Sequence, residues 1–401
     1  MATISEDIRC ENDLALFESL SRDPEVCKVN ERIARMEQES PLRTRRRLLA
    51  TSVRLSQRMS PNLHAMMNES IQKLGVEIPC ELFVFPGPQH NAMCFRPEAG
   101  RLFIMFSSSL LEDFHDNETR FVIGHELGHY LYRHHDIPIG YLLRGKRKVG
   151  PRLALQLFAW SRYAEISADR AGAFCAENNE DVCRALFKIA SGLTGRTIHF
   201  QVDDFLLQVD QMQTEDAEPG TGSPPADWFS THPFSPLRVK ALQLFHVSEL
   251  VTAGGESREN LELGVQKLMS LMEPSYLEGR TEATESMRRL LFAAAITVAR
   301  ADGEISEEEV RIFEKFFGEG SYSENLDQEG LAADLERRAR RVKETCSVPQ
   351  VMQLVRDLCL VARADGYVSV EACQVLERIA EVLEVSTLFV SEMLDAELEL
   401  D

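Results

Sequence analysis

Apolar side chains recur at spacings of three and four over residues 5–75, as at Leu14, Leu16, Phe17 and Leu20, and that period is helical. The same pattern over 62–74 stops at Gly75, a helix-end signal. The period then changes. Residues 80–85 form a short apolar run closed by Pro86-Gly87-Pro88. The runs 92–95 and 101–106 flank a turn at 96–100, which predicts a hairpin. A helix follows, with Asp116 or Asn117 as its cap and Glu118 in its first turn, running to about His135. Residues 140–150 read as a loop, 153–177 and 181–192 as helices, 211–227 as a polar loop, and 236–250 as a further helix. From about Gln266 the helical period persists nearly to the end. The fold class is therefore mainly α with a small antiparallel β-sheet.

An internal repeat marks the C-terminal part. Two Val-Ala-Arg-Ala-Asp-Gly blocks begin at Val298 and Val361, each an apolar helix end, an Asp-Gly turn and a serine start to a new helix. Ser306 with Glu309 makes a capping box. The organisation expected is an N-terminal helical segment (1–60), a central domain (61–255), a helical linker (256–284) and an all-α C-terminal domain (285–401).

Composition narrows the function classes. The 401 residues carry a net charge of -20. Residues 1–200 hold 26 basic and 25 acidic side chains, and 201–401 hold 18 and 39. An acidic chain is a poor ligand for nucleic-acid phosphates, so no nucleic-acid partner is expected. No run approaches the ~20 apolar residues that cross a bilayer, and the N-terminus has no signal-peptide pattern. Nine scattered cysteines without a CxxC fit a reducing compartment, so a cytoplasmic location is expected. Arg43, Arg45, Arg46 and Arg47 read as a solvated helix face, the sharper alternative being a docking patch for the acidic half.

The chemistry concentrates at 121–135. His125-Glu126-Leu127-Gly128-His129 is an HExxH motif. Histidines at i and i+4 share one helix face and reach one zinc ion, with the glutamate placed to take a proton from water. Gly124 and Gly128 each cost roughly 1 kcal/mol of helix propensity, which fits close packing by another element. A catalytic zinc needs three protein ligands. Glu165 on the next long helix is the candidate third ligand. Asp169, four residues on, faces the same way and would hold the free N–H of His125 or His129. His64, His90, His115, His134, His135, His199 and His246 read as surface or packed residues.

These segments resemble the zinc metallopeptidases that include the heat-shock protease HtpX and the CAAX prenyl endopeptidases. The motif His125–His129, the run Glu165-Ile166-Ser167-Ala168-Asp169, the pair Asn91-Ala92 and the segment Ser230-Thr231-His232-Pro233 with Arg238 all match in order, over about 60–250. The resemblance implies a zincin-type, gluzincin-like domain with one Zn2+ on His125, His129 and Glu165. It implies Glu126 as general base, His232 as a donor to the oxyanion, and the strand around Asn91, Ala92 and Met93 as an edge for an extended substrate. Well-known members are embedded in membranes and this chain has no such helices, so prenyl-protein processing is not expected. Residues 285–395 resemble the TerB-like helical domain of tellurite resistance proteins. Asp302, Glu304 and Asp365 lack the ligand series of a calcium loop and read as turn residues.

The expectation is a soluble zinc endopeptidase acting on a protein or peptide, with the TerB-like domain docking on the enzyme or on a partner. The alternative is a non-proteolytic, zinc-stabilised interaction or chaperone-like module.

Overall fold

A computed structural model describes residues 7–39, 42–143, 151–176, 178–194, 199–212, 235–269, 282–301, 328–346, 348–362 and 368–395. Contacts divide the chain into two compact units. One comprises Met1–Pro138, Trp160–Leu207 and His232–Gln266, the other Ile139–Ala159, Gln208–Thr231 and Lys267–Asp401. Among the described residues no helix is long and apolar enough to cross a membrane.

The first unit opens with α1 (Glu11–Leu20), α2 (Pro24–Glu39) and α3 (Arg43–Thr51). A three-residue strand β1 (Val53–Leu55) and α4 (Pro61–Leu74) follow. β1 is too short to break the helical pattern that 5–75 shows in sequence. The remaining strands are β2 (Cys80–Phe85), β3 (Ala92–Glu98) and β4 (Arg101–Ser107), in the order β1-β2-β4-β3. The expected hairpin is β3–β4, closed by Ala99 and Gly100, both at positive φ. That pair of left-handed residues fits the twist of a two-residue hairpin. The sheet is mixed rather than antiparallel throughout. The hairpin folds β3 to the outside and leaves β4 beside β2, and these two run parallel.

The arginine cluster on α3 is seated on this sheet. Arg45 binds Glu81 at 3.0 Å, and the Glu98 carboxylate accepts from the backbone N–H of Thr44 and Arg45. A carboxylate at a helix N-terminus is favourable. Arg47 lies over the Phe95 ring.

Next come α5 (Ser108–Asp113), α6 (Asp116–Leu131), α7 (Ile139–Leu143) and the long α8 (Pro151–Cys175). Ile139–Leu143 is helical where a loop is expected, because Leu142 is buried; residues 144–150 lie outside the described set. Then follow α9 (Asn179–Ser191), α10 (Val202–Met212), α11 (Ser235–His246) and α12 (Arg258–Met269). Most of the expected polar loop at 211–227 lies outside the described residues.

The second unit takes in α7 and the start of α8, and the described part of its C-terminal stretch is helical: α13 (Glu282–Ala299), α14 (Gln328–Ala333), α15 (Leu335–Thr345), α16 (Val348–Ala362), α17 (Val370–Val382) and α18 (Thr387–Asp395). Leu290, Leu291, Val355, Leu358, Leu376 and Val390 are among its core. The Asp-Gly turns of both repeats, and Ser306, lie outside the described residues. Ser369, the second repeat's serine, caps α17 by accepting from Ala372 N–H.

Candidate metal centre

The helix that carries HExxH is fixed at both ends. His115, not Asp116 or Asn117, is its N-cap. Its ring accepts from the Glu118 N–H, and Glu118 Oε2 accepts from His115 N–H at 2.8 Å. The buried Lys188 ammonium pairs with the same Glu118 carboxylate at 2.7 Å, which anchors that first turn. At the other end Arg133 takes a positive φ and starts a 3-10 turn, His134–Asp136.

Three glycines bring α8 unusually close to α6. A Cβ on Gly124 would sit 2.8 Å from Cys175 Sγ, and one on Gly128 would sit 2.9 Å from Ala171 Cβ. From the α8 side, a Cβ on Gly172 would meet the Phe121 carbonyl at 2.6 Å. Only hydrogen side chains permit that approach, which places Glu165 beside both histidines.

His125, His129 and Glu165 form the one group of three metal-capable donors among the described residues. The two Nε2 atoms are 3.1 Å apart, and each stands 3.4–3.5 Å from a Glu165 oxygen. Four ligands around zinc at ~2.0–2.1 Å have donors about 3.3 Å apart, so the spacing fits one zinc ion. The donor set of two imidazoles and one carboxylate fits the same ion and leaves a fourth position open.

Around the donors the network is dense. His125 Nδ1 bonds Asp169 Oδ1 at 3.0 Å. Asp169 in turn accepts two bonds from Arg238 of α11, at 2.8 and 2.6 Å. Burial works against the Asp169 charge, but the Arg238 guanidinium and His125 hold its carboxyl below the usual range. Glu126 is buried at 6% exposure, and its charge adds to burial in raising the Cys94 thiol.

β3 is an edge strand beside α6. The Asn91 carbonyl accepts from Ser107 N–H, so Asn91 faces β4. Backbone polar groups alternate sides along a strand, so Ala92 and Cys94 turn theirs to the open edge and Met93 turns its own to β4. His135 Nε2 donates to the Cys94 carbonyl at 2.9 Å. His232 lies outside the described residues.

Two residues that the sequence pattern does not single out join the centre. His134 Nδ1 is 2.9 Å from His129 Nδ1, and His134 Nε2 is 3.1 Å from Asp13 Oδ2. The doubled histidine after the motif is the available signal for His134. Asp13 carries none, because it is 121 residues away from its partner.

Comparison with known proteins agrees with this geometry. Residues 57–144 and 148–245 match peptidase family M48, and residues 288–390 match the tellurite resistance protein TerB. A plastoglobule-localized metallopeptidase 48 of Arabidopsis thaliana is 28% identical over 212 residues, 48% of this chain and 59% of its own length. A protease HtpX homolog of Helicobacter pylori is 24% identical over 216 residues, 45% of this chain and 66% of its own. The chain thus spans about three fifths to two thirds of these relatives. No solved structure matches it. The chain is a fusion of an M48-family metallopeptidase domain with a C-terminal TerB-like domain.

Proposed function

We propose that this protein is a zinc-dependent endopeptidase that hydrolyses peptide bonds in a protein or peptide substrate. The observation that carries the reading is the convergence of His125, His129 and Glu165 at zinc-ligand spacing, with Glu126 one residue along the same helix. A metal site used only as a scaffold has no need of that carboxylate. When bound, zinc lowers the pKa of water and polarises a carbonyl.

The chain's own groups supply the rest. Glu126 takes a proton from the attacking water and passes it to the leaving amine nitrogen. Asp169, held by Arg238, keeps the proton of His125 on Nδ1 and leaves Nε2 free to ligate. An extended substrate pairs with the open edge of β3, using the outward groups of Ala92 and the Cys94 N–H. Asn91 and Met93, which face β4, support that edge. His232 donates to the developing oxyanion. The TerB-like domain docks partners or the enzyme itself. Nine free thiols favour a cytoplasmic site of action.

Glu126→Gln is the test. The variant should keep its zinc content and lose turnover of an unfolded protein substrate by roughly 10²–10⁴-fold. Equal turnover in both proteins would overturn the proposal.

A further inference from the structure

The chain His129–His134–Asp13 runs inward from the candidate zinc site to a carboxylate on α1. Asp13 is fully buried. It accepts from Trp160 Nε1 at 3.0 Å, Ser167 Oγ at 2.7 Å and Arg9 Nε at 2.8 Å, besides facing His134 Nε2. Trp160 also stands edge-on to the His134 ring. Asp13 lies outside the segment that matches the peptidase family, which begins at residue 57.

The proton positions follow from what each group is able to do. A carboxylate receiving three other donors acts as an acceptor. His134 therefore carries its proton on Nε2, and as a neutral ring its Nδ1 is a bare lone pair. The 2.9 Å contact between the two Nδ1 atoms then requires the proton to sit on His129 Nδ1. A neutral His129 with that proton has a bare Nε2, the atom that faces His125 Nε2 and Glu165.

We propose that Asp13 and His134 are positioning residues that fix His129 in the tautomer and orientation with Nε2 free for the metal. The two zinc histidines are thus served differently: His125 by a carboxylate directly, His129 by a carboxylate through a second imidazole. The assignment rests on the zinc reading for its purpose and for the bare Nε2, since two Nε2 atoms 3.1 Å apart both lack a proton only with a cation between them, while the proton on His134 Nε2 and that on His129 Nδ1 stand on the protein alone.

The test uses the full chain and zinc affinity measured by competition with a chelator. His134→Phe and Asp13→Asn should weaken zinc binding about ten- to a hundredfold. His134→Gln presents an oxygen to His129 Nδ1–H and an N–H to Asp13, so it should stay within about threefold of the parent. A packing role predicts the reverse order, with Phe tolerated and Gln poor. That order, or equal affinity in all variants, overturns the proposal. In the metal-free chain, imidazole 15N shifts should show His134 protonated on Nε2 and not on Nδ1, and His129 protonated on Nδ1 whether or not its Nε2 takes up a second proton where the zinc would sit. Opposite tautomers overturn it whatever the affinities. The expected tautomers in a chain that binds no zinc support the positioning role and sink the zinc peptidase reading instead.

Discussion

Asp169 and His135 show how single side chains set this centre. Asp169 has one carboxylate for two tasks, orienting His125 and neutralising the buried Arg238. His135 reaches β3 instead, donating to the Cys94 carbonyl. Burial pushes the His135 ring down to about 4, and its bond to Cys94 opposes that only in part. Its folded value thus lies below the ~6.5 of an unfolded histidine. The unfolded chain binds the extra proton between those values, so stability rises with pH there. Expected is a loss of about 2–3 kcal/mol as pH falls from 7 to 4. Urea unfolding at several pH values should show it, and His135→Asn should flatten the slope.

At the scale of elements, the crossing of α6 and α8 decides the geometry. Gly128→Ala would press a methyl against Ala171 Cβ and Ala168 Cα. The helices must part, at a cost of about 1–3 kcal/mol, and Glu165 moves with α8. Lower thermal stability together with weaker zinc binding is the expected outcome; stability and zinc affinity equal to the parent would contradict it. Much of this crossing is legible in the sequence. The HExxH spacing, the two glycines and the Glu165–Asp169 pair are local patterns, and local patterns survive in sequence. What escapes is non-local. The parallel β2–β4 pairing depends on where the hairpin lands, and β1 is shorter than any period that would reveal it. His115 caps α6 through a reciprocal bond with Glu118, a partnership that residue preferences do not announce.

Across the whole molecule, the charge excess belongs to residues 201–401, while the metal donors lie in the balanced half. The peptidase unit nevertheless draws on residues beyond 250. Glu262 of α12 pairs with the buried Arg170 at 2.6 Å and also accepts from Glu11 N–H and Cys10 Sγ–H. A chain ending at residue 255 would leave Arg170 buried without its partner, a loss of about 3–5 kcal/mol. One ending at residue 269 keeps the pair and should unfold at a distinctly higher urea concentration. If the TerB-like unit restrains the enzyme, the 269 form also shows the higher turnover. The Arg170–Glu262 pair has a further bearing on when the metal site is complete. All three metal donors have been synthesised by residue 165, whereas Arg238 and Glu262 follow much later. Closing such distant contacts awaits the segment that makes them. A growing chain therefore carries the ligands long before it carries the cage around them, and cutting power should arrive with the finished fold rather than during synthesis.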